Sequence, residues 1–378
     1  MKKVLVGVVA VLFILFNLTS QAKTIKIGAL ASITGPTSFL GEPEKNTLKM
    51  LVDKINKNGG INGNKIKLII YDTKGEPSST VILARKLIYS DKVSAIIGPT
   101  RSGSTLAIIS LIQRAHIPLI SMASSYKITT PTKKWVFKTA PSDSLAVERL
   151  YSYLQDHNIH KIAILTAETG FGESGREELK KLASKYNIAI LRDETFGATD
   201  TNMTSQLIKI KNTKGVQAIV CWGTNPGPAS VAKNAKELNI KIPLFMSHGV
   251  ASKRFIQLAG KAAEGIKLPV GKLLVAEQLP KTDPQRAVLL NYKEEYEKEF
   301  GPVSTFGGHA YDALMMLVKV IKEGAQTPDQ IRDGLEKIKH FVGITGVFTY
   351  SKDNHAGLNP SDFCIVKIEN GSWKLIAY

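Results

Sequence analysis

The chain has 378 residues, 43% of them apolar and 22% charged, so it carries ample material for packed cores and does not read as a disordered polymer. Its 50 Lys and Arg against 32 Asp and Glu leave a net +18, which suggests anionic partners or an anionic surface, although lysines scattered over solvated helices give the same sum. Two cysteines, Cys221 and Cys364, are too few for a disulfide scaffold and do not sit at zinc-ligand spacing.

At the start, Lys2 and Lys3 precede an apolar run from Val4 to Phe16 and a polar stretch ending Ser20-Gln21-Ala22. This order reads as a secretory signal over 1–22, with a cut before Lys23. The run is too short to cross ~30 Å of hydrocarbon, and no cysteine follows for lipid attachment. The expected product is soluble and exported to the periplasm.

Ile25 to Leu30 reads as a strand, and Leu48, Leu51, Val52 and Ile55 recur at helical spacing until Gly59-Gly60 stops the helix. Strand Ile66–Tyr71, helix Ser79–Tyr89, strand Val93–Ile97, helix Ser102–Ala115 and strand Pro118–Ser121 follow. Strands separated by helices of this length form right-handed crossovers in a parallel sheet covered on both faces. The same grammar restarts after Pro141. Val147, Leu150, Tyr151 and Leu154 mark a helix, then come strand Lys161–Thr166, helix Glu173–Tyr186, strand Ile188–Arg192, helix Asn202–Asn212, strand Val216–Trp222 and helix Pro228–Leu238. Two α/β units of similar size imply two lobes with short crossing strands between them. Three helical stretches, Pro284–Phe300, Gly307–Glu323 and Pro328–His340, and a hairpin around Asn370-Gly371 then return to complete those lobes.

Gly170-Phe171-Gly172-Glu173-Ser174-Gly175 matches G-x-G-x-x-G, follows a strand, opens a helix and has Asp193 and Glu194 downstream, the pattern of a dinucleotide-dependent oxidoreductase. Residues 167–170 intervene where the fingerprint wants an immediate turn, and an exported protein leaves its cofactor behind. The preferred reading is a strand-to-helix loop whose glycines permit positive φ. No P-loop, H-E-x-x-H or G-x-S-x-G occurs, His157 and His160 read as solvated, and no carboxylate pair is marked for acid and base work. No catalysis, cofactor or metal is expected. A sharper signal is Ile97-Gly98-Pro99-Thr100-Arg101-Ser102-Gly103-Ser104-Thr105, a strand handing to a helix whose hydroxyl-rich first turn can hold a carboxylate. An N-cap serine that only caps gives the same string.

Lys26-Ile27-Gly28 to Gly35-Pro36, Asn56 to Gly63 with its Asn-x-x-Gly-Gly-Ile-x-Gly pattern, Tyr71-Asp72, Glu76-Pro77, Ile97-Gly98-Pro99, Ala263-Glu264-Gly265 and Tyr311-Asp312-Ala313-Leu314 together resemble the periplasmic binding proteins of branched-chain amino acid ATP-driven importers. The resemblance implies an α/β protein of two Rossmann-like lobes, mostly parallel sheets and a three-crossover hinge. It also implies lobe 1 over 23–141, lobe 2 over 142–272, a return to lobe 1 over 273–355 and to lobe 2 over 356–378. A monomer serving an inner-membrane permease, with no nucleic acid partner, is expected; a ligand sensor on the same fold is the alternative.

The resemblance places the carboxylate of a bound ligand on Ser102, Ala123 and Ser125, with Phe171 and Phe306 as apolar walls. Where the family has an acidic partner for an ammonium, this chain has His248, and Thr224 stands at an aromatic position. Gly75 and Arg101 replace a disulfide pair of some members. A buried ammonium without a carboxylate costs several kcal/mol. With Arg101 available for bidentate contact and Trp222 as a further wall, the expected ligand is a small carboxylate, an organic and possibly aromatic acid before an amino acid. Glu277 is the candidate that keeps the amino-acid alternative open.

Overall fold

A computed structural model describes residues 24–378; the signal segment expected over 1–22 lies outside them. Within the described residues two large sheets form. The first holds β1 (Ile25–Ala31), β2 (Ile66–Asp72), β3 (Ala95–Ile97), β4 (Leu119–Ser121) and β5 (Val136–Lys138), all parallel in the order β2-β1-β3-β4-β5. The second holds β6 (Lys161–Ala167), β7 (Ala189–Phe196), β8 (Ala218–Trp222), β9 (Leu244–Met246) and β10 (Lys267–Gly271), and its edge is completed by the antiparallel strands β13 (Phe363–Glu369) and β14 (Ser372–Ala377). A short ribbon, β11 (Phe341–Val342) with β12 (Val347–Phe348), lies apart from both. The chain therefore crosses between the lobes after β5, after β10 and before β13.

Helices α1 (Ser38–Lys57), α2 (Pro77–Arg85) and α3 (Ser102–Ala115) serve the first sheet. Helices α4 (Asp143–Asp156), α5 (Gly170–Ala183), α6 (Thr204–Lys211), α7 (Gly227–Glu237) and α8 (Lys253–Ala259) serve the second. The late helices α9 (Arg286–Phe300), α10 (Thr305–Lys322) and α11 (Pro328–Glu336) come last, and α10 packs along α1. Strand periodicity divides the cores. Ile27 and Ala29 of β1 join one cluster while Leu30 joins that under α2 and α3, and in β6 Ala163 and Leu165 part from Ile162 and Ile164 in the same way. In the central strands β3, β6 and β8 nearly every residue is buried on both faces, as parallel strands covered by helices require.

The Asn-x-x-Gly-Gly-Ile-x-Gly stretch is a joint. Asn56 both donates to the Ile66 carbonyl and accepts from the Ile66 amide at 2.8 Å, pinning the end of α1 to β2. Asn62 donates to the last carbonyls of α10, Ile321 and Lys322. The terminal hairpin turns on Asn370 and Gly371, both at positive φ, as a two-residue hairpin loop demands.

Strands β5, β9 and β10 escaped the sequence reading. Each is short, and β9 and β10 are interrupted or flanked by Pro243 and Pro269, so they lack the long apolar run that marks a strand. The glycine-rich run is a second correction. It is helical, not a loop: α5 begins at Gly170, and none of Gly170, Gly172 or Gly175 has positive φ. These glycines exist for close approach. A Cβ on Gly172 would lie 1.9 Å from the Ala167 carbonyl oxygen, and one on Gly175 would lie 2.1 Å from Trp222 Nε1.

Candidate functional site

The carboxyl ends of the parallel strands of both sheets face one another, the place where open α/β sheets bind ligands. There the segments after β3, β4, β6, β8 and β9, with the start of α10, enclose a cavity of about 370 Å³. Ser102, Gly103 and Ser104 form the first turn of α3, whose amides have no intrahelical acceptor and are not capped by the N-cap side chain. Ser104 Oγ is buried without a partner. Across the cleft α5 also starts at the cavity, close enough that a Cβ on Gly170 would come within 3.0 Å of the Gly103 amide nitrogen. Two positive helix ends from two lobes thus meet over one space.

Arg101 lines the same cavity, half-buried, and donates from Nη1 to the Gly75 carbonyl at 3.0 Å. Gly75 and Arg101, which the sequence resemblance sets in place of a disulfide pair, are neighbours here, joined by that hydrogen bond. Burial holds the guanidinium below its ordinary pKa, and nearby Glu76 acts in the opposite sense. Behind Thr100 sits Glu44, fully buried, accepting the Thr100 hydroxyl; burial pushes its pKa well up. It fixes the turn before α3 without reaching the cavity.

Below exposed Glu168 at the mouth, the opposite wall is aromatic and uncharged. Phe171, Thr224, His248 and Gly249 come from the second lobe, and Phe306 and His309 from the start of α10. The His248 ring stands edge-on to Phe171 at 5.3 Å and to Trp222 at 5.7 Å between centroids, with Nε2 hydrogen-bonded to Ser124 Oγ at 3.0 Å and Nδ1 buried without a partner. Burial, then His309 and Lys138, push its pKa down to about 3, so it is neutral at pH 7. His309 Nδ1 pairs with Thr345 Oγ1, and burial takes this ring too to about 3.

Of the expected site residues, Arg101, Ser102, Ala123, Phe171, Thr224, His248 and Phe306 line the cavity, whereas Ser125 and Trp222 do not. Trp222 is fully buried beneath Phe171 and His248, resting on the bare Cα of Gly175, so it supports the wall instead of forming it. Ser125 is also fully buried; its amide donates to Ser102 Oγ and its hydroxyl to Ser174 Oγ. The Ala123 amide donates to Ser121 Oγ. The two backbone donors expected from Ala123 and Ser125 are therefore engaged within the protein, and the first turn of α3 supplies the donors that remain. Glu277 is paired with Lys293 and does not line the cavity.

His309, Glu76 and Glu168 line the cavity and were missed. Nothing local marks His309, which arrives from a helix that starts 190 residues after the end of α3. Glu76 sits in the quoted Glu76-Pro77 pair and Ser104 in the hydroxyl-rich turn, so a signal existed for both. Both carboxylates are exposed at the mouth, and Glu168 accepts the Thr195 hydroxyl. No buried carboxylate lines the cavity among the described residues. Nor do those residues contain a His, Cys, Asp and Glu cluster able to hold a metal, or a helix long and apolar enough to cross a membrane.

The profile of the periplasmic binding protein family matches residues 24–372. The Leucine-, isoleucine-, valine-, threonine-, and alanine-binding protein of Pseudomonas aeruginosa is 27% identical over 347 residues, covering 91% of this chain and 90% of that protein. An extracellular ligand-binding receptor from Rhodopseudomonas palustris superposes with a TM-score of 0.87 at 27% identity, covering 94% of this chain and all of that one. The branched-chain amino acid transporter substrate binding protein of Streptococcus pneumoniae, solved with isoleucine, gives 0.83 at 27% identity, again covering 94% of this chain and all of that one. The relatives are substrate-binding proteins and not enzymes, which removes the oxidoreductase reading of Gly170 to Gly175. The chain belongs to the periplasmic binding protein family and is a binding protein of the branched-chain amino acid transporter type.

Proposed function

We propose that the chain is an exported periplasmic receptor that closes its lobes over a small organic carboxylate lacking an α-ammonium group and delivers it to an importer of the branched-chain amino acid type. One observation carries the ligand class: the buried lining offers a helix start, hydroxyls and the Arg101 guanidinium to an anion, and neutral His248 where an ammonium would need a buried acid. An unpaired ammonium against that wall would be stranded in low dielectric. The carboxylate also explains closure, because the opposed starts of α3 and α5 present like partial charges that an anion between them offsets. Aromatic Phe171 and Phe306 suit a planar or branched apolar body.

A thermal-shift screen of aliphatic amino acids against aliphatic and aromatic carboxylates tests this, since a ligand that binds only the folded form raises the midpoint. Carboxylates should shift the midpoint and amino acids should not. A shift with leucine, isoleucine or valine alone would overturn the ligand class and leave the receptor reading in place.

A further inference from the structure

Directly after Ala123 four successive residues of the first lobe reach into the second. Ser124 Oγ is hydrogen-bonded to His248 Nε2 at 3.0 Å, and Ser125 donates its hydroxyl to Ser174 Oγ at 2.9 Å. Tyr126 donates its hydroxyl to Glu177 Oε2 at 2.9 Å, and Lys127 Nζ pairs with Glu177 Oε1 at 2.6 Å. Such a run presents its groups in register only if its backbone is held. The holder is Lys138 at the end of β5, fully buried, whose ammonium donates to the Ser124 carbonyl at 2.7 Å and the Ser125 carbonyl at 3.2 Å. The Ser124 carbonyl accepts in addition the amide of Asp143, the first residue of α4 in the second lobe. Among the described residues no carboxylate is hydrogen-bonded to Lys138; buried Asp143 acts on it through charge alone, and its hydrogen bonds go to the backbone.

We infer that Lys138 is the positioning residue of a latch, residues 124–127, through which the first lobe grips the second when the cleft closes. The inference rests on reading the cleft as a ligand site, yet concerns closure itself and holds for any ligand. Ser102 Oγ accepts the Ser125 amide, so the turn that would receive the carboxylate and the latch share one hydrogen bond. Filling the site and closing the lobes are thereby linked.

Cross-linking tests this without a ligand. In the chain carrying Ser125→Cys and Ser174→Cys, whose side-chain oxygens lie 2.9 Å apart in the parent, the rate of disulfide formation with diamide reports how often the lobes close in this register. The native thiols do not compete, since both are buried and burial pushes the Cys364 pKa up to about 12. Adding Lys138→Met should slow cross-linking about tenfold while the thermal midpoint stays cooperative, and Lys138→Arg should restore the rate to within about twofold. If Lys138→Met does not fold, Lys138→Gln, shorter, uncharged and with two N–H donors where the ammonium has three, should show the slower rate. Cross-linking as fast in a folded Met or Gln variant as with Lys138 would overturn the inference. The thermal-shift screen fails or succeeds independently of this result.

Discussion

The two walls of the cleft are built from different materials. The first-lobe wall, Thr100 to Ser104 with Met122 to Ser124, is main-chain amides, hydroxyls and a guanidinium held by short loops after β3 and β4. The second-lobe wall, Phe171, Thr224, His248 and Gly249 over buried Trp222, is rings and a neutral imidazole. One wall is suited to reading charge in the open cleft. The other is suited to reading shape and excluding water once the lobes meet, and in that drier space the contacts of the first wall gain strength. The anion site and the selectivity of this protein are therefore separable, each alterable from its own lobe.

The second-lobe wall depends most heavily on Trp222. Its removal in Trp222→Ala should cost about 3–5 kcal/mol of folding stability in denaturant unfolding, because a fully buried ring that supports Phe171 and His248 would leave a cavity. A loss below about 1 kcal/mol would mean the second wall stands without it.

The imidazole sharpens the same contrast through pH. Folded His248 titrates near 3, while an unfolded histidine titrates near 6.5, so between these values the unfolded chain binds a proton that the folded chain does not. Stability therefore falls as pH drops, by about 2 kcal/mol per such group between pH 6.5 and 5. Asp312, pushed up to about 7 by burial, acts in the opposite sense, so the signature is a difference. Acidification should destabilise the parent more than His248→Phe by roughly 2 kcal/mol, measured as unfolding free energy at the two pH values.

On the first wall, Ser102→Ala should weaken binding about tenfold for whichever carboxylate gives the largest thermal shift, since a hydrogen bond to a charged group contributes roughly 1.5 to 3 kcal/mol. Unchanged affinity in calorimetry would remove Ser102 from the anion site. The smallest effect belongs to the latch's outer end. Glu177→Gln removes the exposed ion pair with Lys127 while keeping an acceptor for Tyr126, and should change folding stability by less than about 1 kcal/mol.

The walls also differed in how far the sequence disclosed them. The first was readable because an apolar strand, a Gly-Pro turn and a hydroxyl-rich helix start are contiguous, so Ser102 and Arg101 stand in one string. The second was only partly readable. Phe171 and His248 came through family resemblance, while the burial of Trp222 follows from Gly175, forty-seven residues away in sequence and in contact only after β8 packs on α5. Ser125 lies off the cavity for a related reason: a serine near a site reads as a donor to ligand until its partners, Ser102 and Ser174, are seen. The alternation of strands and helices was legible because it depends on local periodicity. Short β5, β9 and β10 were not, since tertiary pairing defines them more than their own composition does.

The most direct test is a calorimetric titration of the folded receptor with matched pairs that differ only in the ammonium, leucine against 4-methylpentanoate and phenylalanine against 3-phenylpropanoate. The acid lacking nitrogen should bind at least about tenfold more tightly in one or both pairs, as an ammonium left unpaired beside neutral His248 requires. Tighter binding of the amino acid in both pairs would contradict the account.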